Sequence, residues 1–171
     1  MEKQIEYIDL DGVILDSEKR MLERKYMAGF ENHNDSKQYD AFFEYTDTHP
    51  EEWDYIIREA NSINNSIEII KELQELKKEI AILTKIHTLH EMRVKVDDLR
   101  NHRNIYIPIV FVPPKIKKHE VVIPKKQLLI DDSQKNIDGW INNGGKGILF
   151  DETIPKNTDK KVKSLEFLLG R

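Results

Sequence analysis

The sequence contains no cysteine, which excludes disulfides, cysteine-ligated zinc and thiol catalysis. Glycine and proline are sparse, seven and six in 171 residues, and no low-complexity linker or internal repeat is present. A basic excess is also missing: the formal net charge is −4, whereas a dedicated nucleic-acid binder carries Lys and Arg in surplus. No apolar run approaches the length needed to cross a bilayer. The opening residues read directly as a first strand with no signal peptide ahead of it. The expectation is therefore a soluble, cytoplasmic protein with neither a membrane nor a nucleic acid as partner. A length of 171 residues suits one domain, or one domain with a modest insertion.

What is present begins at the N-terminus. A short apolar segment, residues 5–8, stops at two carboxylates two positions apart, Asp9 and Asp11, with Gly12 immediately after. In extended backbone, side chains two apart point the same way, so Asp9 and Asp11 converge on one spot. Converging carboxylates repel unless a cation or a shared proton relieves them. A magnesium ion does so economically, because it takes a few carboxylate oxygens and keeps room for water and phosphate. Taken alone, Asp-x-Asp-Gly is equally well a strand running into an Asp-Gly turn, so the rest of the chain has to decide between the two.

Residues 17–30 place Met21, Leu22, Tyr26, Met27 and Phe30 on one helical stripe. Residues 31–36 form a polar break, and residues 37–45 a short aromatic-rich helix. Thr48, Pro50 and Glu51 mark the start of a further helix, which buries Trp53, Ile56, Ile57 and Ala60. Residues 64–66 then cap an amphipathic helix with Ile67, Ile70, Leu73 and Leu76 on its buried face. From there strands at 80–83, 105–112, 127–130 and 147–150 alternate with helices at 91–102, 135–143 and 162–169. Such alternation implies an α/β fold, a Rossmann-like parallel sheet with helices on both faces. Residues 17–61 are too long for a simple crossover and read as a small helical cap inserted after the first strand, over a core of residues 1–16 and 62–171.

In open α/β sheets, ligands bind outside the carboxyl ends of the strands. The residues expected there are Asp9 and Asp11, Thr84 after the second strand, and Asp131 and Asp132 after the fourth. Lys115, Lys117 and Lys118 come after the third strand, and Lys118 best fits the start of a short helix. Acids that hold a metal, a hydroxyl and an ammonium that hold phosphoryl oxygens, and one carboxylate left to attack make a coherent phosphate site.

The same residues, in this order, resemble the four signatures of the haloacid dehalogenase (HAD) superfamily of aspartate-nucleophile phosphatases. The first is Asp9-Leu10-Asp11-Gly12-Val13, and the second is Thr84 closing Ala81-Ile82-Leu83. The third is a lysine among Lys115, Lys117 and Lys118, and the fourth is Leu128-Leu129-Ile130-Asp131-Asp132. Each is weak alone, but the ordered set spans nearly the whole chain. Within the superfamily, the Asp-Gly-Val opening, the Leu-Leu-Ile-Asp-Asp ending and the compact cap look most like the small-capped 5′(3′)-deoxyribonucleotidases.

The resemblance implies a magnesium-dependent phosphomonoester hydrolase that acts on a small phosphorylated metabolite such as a nucleotide. Asp9 would be the nucleophile, and Asp11 the acid and then the base. Thr84 and Lys118 would bind the phosphoryl group. Magnesium would be held by Asp9, the main-chain carbonyl of Asp11, and Asp131, with Asp132 supporting its shell. Two other readings stand beside this one: a non-catalytic phosphate- or metal-binding regulatory module, and a phosphatase for sugar phosphates or nucleic-acid ends. The cap aromatics Phe42, Phe43, Tyr45 and Trp53 form either the cap's own core or a stacking surface for a base. The six histidines show no metal-ligand spacing and read as surface residues.

Overall fold

The computed structural model describes residues 4–30 and 35–170. Residues 31–34, most of the expected polar break with its His33, lie outside them. Strands β1 (Glu6–Ile8), β2 (Ile80–Lys85), β3 (Ile109–Val112), β4 (Leu128–Asp131), β5 (Lys146–Phe150) and β6 (Lys161–Val162) form one sheet. All pairings are parallel, in the order β3-β2-β1-β4-β5-β6. The chain builds outward from β1 to β3 on one side, then returns to lay β4 to β6 on the other. The order therefore reverses between β1 and β4, which opens a crevice at their carboxyl ends.

Alternation along the strands divides the core in two. Ile8, Ile80, Ile82 and Ile130 face one side, where Ile67, Ile70 and Leu73 of α4 (Ser66–Glu75) cover them. Tyr7, Ala81, Leu83 and Leu129 face the other, against Ile137 and Trp140 of α7 (Gln134–Asn142). Each fully buried isoleucine or leucine contributes roughly 1.5–3 kcal/mol. Trp140 meets Tyr7 edge-on at 5.6 Å and donates its indole N–H to the Gln127 carbonyl at 2.9 Å. Gly144, at φ +89°, ends the segment after α7 in a conformation that suits glycine.

Three helices, α1 (Ser17–Met27), α2 (Ser36–Thr48) and α3 (Glu51–Arg58), come after β1 and share a separate apolar cluster of Phe42, Trp53, Ile56 and Ile57. Val94 of α5 (Leu89–Asp97) joins that cluster and ties it to the sheet-bearing part of the chain. Arg24 grips Glu52 with two hydrogen bonds, at 2.7 and 3.0 Å, locking α1 to α3. Asp16 sits where α1 begins but does not cap it. Its carboxylate accepts from the backbone and side-chain N–H groups of Asn61, and its own N–H donates to the Asn61 carbonyl at 3.0 Å. The points where the chain enters and leaves the helical segment are thereby stapled together.

Several expectations are corrected. Leu76 lies past the end of α4 and is 56% exposed, while Ile69 is buried instead. Thr48 does not cap α3; its hydroxyl donates to the Tyr45 carbonyl of the preceding helix. The helix expected at 91–102 is α5 followed by a π-helical turn, Asp98–His102. The strand expected at 105–112 begins only at Ile109, because Pro108 has no N–H to give the ladder. The helix expected at 162–169 is the two-residue β6 and a 3₁₀ turn, Leu165–Leu169. Among the described residues, no helix is long and apolar enough to cross a membrane.

Candidate active site

The carboxyl ends of β1, β2 and β4 open onto a cavity of about 280 Å³ beneath α1–α3. Asp9 follows β1 directly and its N–H continues the sheet by donating to the Ile130 carbonyl at 2.9 Å. Leu10 then turns into the core while Asp9 and Asp11 both line the cavity. The alternation expected of a strand thus holds for these side chains, although the strand itself ends at Ile8. Gly12 closes the turn at φ +75°, and a Cβ there would overlap the Asp132 carboxylate. Glycine is required here both by the backbone angle and by the close approach.

Of the three lysines in this segment, Lys118 is the one that reaches the carboxylates. It opens the short helix α6 (Lys118–Val121) and is buried, whereas Lys115 and Lys117 are exposed. Its ammonium stands 2.7 Å from Asp9 Oδ2 and 2.6 Å from Asp131 Oδ2. Asp131, the last residue of β4, is further fixed by the Ser133 N–H at 2.9 Å and by the Asn136 side-chain amide at 3.1 Å to each oxygen. Ser133 caps α7 by accepting from the Asn136 N–H, so one turn both starts that helix and orients the aspartate.

Asp9, Asp131 and Asp132 bring one oxygen each to within 4.8 Å of one another. Three carboxylates around a single lysine leave negative charge uncompensated, and the oxygen-only donor set suits a hard divalent cation. Burial first, and then Asp131, Asp11 and Asp132 against the pull of Lys118, raise the proton affinity of Asp9 well above the ordinary carboxylate range. Burial, with Glu18 and Asp131, pushes Asp132 up to about 7. A group that binds its proton more tightly folded than unfolded stabilises the fold at low pH and loses that contribution as pH rises. In chelator, the melting temperature of the wild type should therefore fall relative to that of Asp132→Asn as pH rises from about 4 to about 7. Magnesium at neutral pH should raise the wild type more than the variant. Parallel curves with no differential response to magnesium would show that the cluster is not a cation site.

Asp11 lies outside that trio, and its carboxylate is held from behind. Ser17 Oγ donates to Oδ1 at 2.6 Å. Oδ2 receives Thr84 Oγ1 at 3.0 Å and Lys95 Nζ at 2.6 Å. Burial alone would raise the Asp11 carboxyl, but Lys95, Ser17 and Thr84 together hold it below the ordinary range. Thr84 is fully buried within this network, and Lys85, the next residue, supplies the cavity wall. The expected residues thus meet in one place, split into a group around Lys118 and a group around Lys95. Sequence reasoning missed Lys95, Ser17, Ser133, Asn136 and Glu18; of these, Ser17, Glu18, Ser133 and Asn136 line the cavity.

The outer wall is apolar and aromatic: Met21, Tyr39, Phe43, Trp53 and Ile56. His87 stacks on Phe43 with centroids 3.6 Å apart, and the Trp53 ring lies within 8° of parallel to His87. His87 is exposed, as expected of the histidines, yet it opens on the cavity. Trp53 is 2% exposed and its indole N–H has no partner.

No family model matches the chain, and no curated protein matches it. Solved structures do. A protein of Bacteroides fragilis described as a haloacid dehalogenase-like hydrolase superimposes with a TM-score of 0.69 at 14% identity, covering 98% of this chain and 100% of that one. The chain has the HAD fold. The YfnB protein of Bacillus subtilis, described as a HAD hydrolase and solved with magnesium, matches with a TM-score of 0.62 at 14% identity, covering 99% of this chain and 98% of that one. A Haemophilus somnus protein described as a phosphoglycolate phosphatase matches with a TM-score of 0.60 at 14% identity, covering 99% of this chain and 98% of that one. At these identities the likeness establishes the HAD fold, and the chemistry rests on the site.

Proposed function

We propose that this chain hydrolyses a small phosphomonoester in two steps through an aspartyl-phosphate on Asp9. The observation that carries the reading is the pairing of two carboxylates on one cavity in different surroundings. Asp9 is fixed by Lys118 at 2.7 Å within the cluster of three carboxylates, while Asp11 stands apart from that cluster with its own support. Two acids in unlike environments suit two unlike tasks.

Asp9 attacks phosphorus and the leaving oxygen departs with a proton from Asp11. An incoming phosphate dianion raises the proton affinity of Asp11 against the pull of Lys95, so the acid is loaded when substrate is present. Asp11 then takes a proton from the water that cleaves the aspartyl-phosphate. Lys118 favours the ionised form of Asp9 and holds it in line, while Thr84, fully buried behind Asp11, supports Asp11 Oδ2 at 3.0 Å. Asp9, Asp131 and Asp132, with the main-chain carbonyl of Asp11, would hold magnesium. When bound, the ion offsets repulsion between carboxylate and phosphate.

In this reading α1–α3, residues 17–61, act as a cap over a core of residues 1–16 and 62–171, hinged where Asp16 meets Asn61. The apolar outer wall favours a leaving group with a flat, weakly polar face over a polyhydroxylated sugar. A nucleoside monophosphate fits that class. The reading places the protein in the cytoplasm, among small phosphorylated metabolites.

The test is phosphate release from nucleoside monophosphates, sugar phosphates and an aryl phosphate, with magnesium and with chelator. Magnesium-dependent turnover that favours the nucleotides is expected. Turnover that favours sugar phosphates would overturn the substrate class alone. Tight phosphate binding without any turnover would favour the binding-module reading, to which the fully engaged Asp11 carboxylate lends some weight.

A further inference from the structure

Lys95 belongs to none of the sequence signatures, yet its ammonium is fully buried one layer behind the cavity. Four acceptors surround it: Asp11 Oδ2 at 2.6 Å, the Lys85 carbonyl at 2.8 Å, Glu91 Oε1 at 2.8 Å and Thr84 Oγ1 at 3.2 Å. Burying an ammonium costs several kcal/mol, and replacing a whole buried ion-paired set by apolar residues of similar volume is often neutral or stabilising. Fold stability alone therefore does not explain a lysine here.

Glu91 is equally fixed. It is 2% exposed, and its second oxygen accepts the His87 N–H at 2.6 Å. Thr88 Oγ1 accepts the Glu91 N–H and caps α5. The head of α5 is thus a rigid mount that carries Lys95 to the back of Asp11, while Ser17 on α1 holds the other Asp11 oxygen.

We infer that Lys95 is a positioning residue, anchored by Glu91, that keeps the Asp11 carboxylate aimed at the leaving oxygen of the substrate. This rests on the proposed phosphatase activity. Without Lys95, Ser17 still holds Oδ1 and Thr84 still reaches Oδ2 at 3.0 Å, but Oδ2 loses its shorter, charged bond, and a small misplacement of a reacting group costs rate heavily.

The test uses Lys95→Met in the full chain with magnesium and two substrates, an alkyl phosphate and 2,4-dinitrophenyl phosphate. The alkoxide leaving group needs a proton and the dinitrophenolate does not. The ratio kcat/KM reports the first transfer, to Asp9. For the alkyl ester it should fall by about 10²-fold, the usual contribution of a general acid. For the dinitrophenyl ester it should change little. Asp11→Asn should show the same selectivity, and the double variant should lose no more than Asp11→Asn alone. Glu91→Gln keeps the shape of the mount, so it should shift the ratio in the same direction by less; it also serves if Lys95→Met does not fold. Equal losses on both esters, or none on either, would overturn the inference. Failure of the phosphatase reading looks different: the wild type would then release phosphate from neither ester, or Asp9→Asn would release it as fast as the wild type.

Discussion

Asp9→Asn is expected to abolish phosphate release, a loss on the order of 10⁴-fold or more in kcat, as for other nucleophiles that act within a unit. The same substitution should make the metal-free protein more stable near neutral pH. Burial, and the neighbours Asp131, Asp11 and Asp132, raise the proton affinity of Asp9 even against Lys118, so its ionised form is costly in the fold. Asn removes the charge while Lys118 keeps Asp131 as its partner at 2.6 Å. Activity and stability moving in opposite directions is the signature of a residue kept for chemistry. Phosphate release with steady-state kinetics and thermal melts in chelator measure the two halves. A variant that is both inactive and much less stable would show that Asp9 acts through the fold.

Lys118→Met is expected to fail on both counts. The ammonium is 2% exposed and bridges two buried carboxylates. Removing one partner of a buried ion pair strands the other's charge and costs about 3–5 kcal/mol. Turnover should fall by about 10²–10³-fold, as on losing a preorganised charge in an enclosed site. Magnesium should recover part of the stability by binding among the same acids, and little of the turnover. Lys117→Met, at an exposed position of the same segment, should behave as wild type in denaturant and in assay. Comparable losses at both lysines would contradict the geometry that singles out Lys118.

Much of the arrangement was legible in the chain because it is local. Asp9 and Asp11 sit two residues apart at the end of an apolar run, and Asp131 ends another, so strand register alone sends them to one edge. Trp53, Ile56 and Ile57 were recognisable as one helical stripe, and they are buried together. Lys118 was legible in part, since three lysines share one segment and only packing shows which turns inward. Lys95 was not legible. It lies 84 residues from Asp11, and with Glu91 it reads as an ordinary exposed i,i+4 pair on a helix. Nothing local says that this face of α5 is buried. The two-residue β6 was equally invisible, being shorter than any period a sequence can display. Asp16 stands where a helix begins, and nothing local shows that its carboxylate bonds Asn61, 45 residues away, instead of capping that helix.

A covalent phosphoryl group on Asp9 is the step on which the proposed hydrolysis turns, and it can be trapped. Asp11→Asn removes the base that would discharge the intermediate, but 2,4-dinitrophenyl phosphate still leaves without an acid. Mixed with that ester and magnesium, the variant should gain one phosphoryl group by intact mass. Peptide mapping after borohydride reduction should place it on Asp9, and Asp9→Asn/Asp11→Asn should gain none. Dinitrophenolate release by a variant that never carries phosphate, or a phosphoryl group mapped to another residue, would contradict the account.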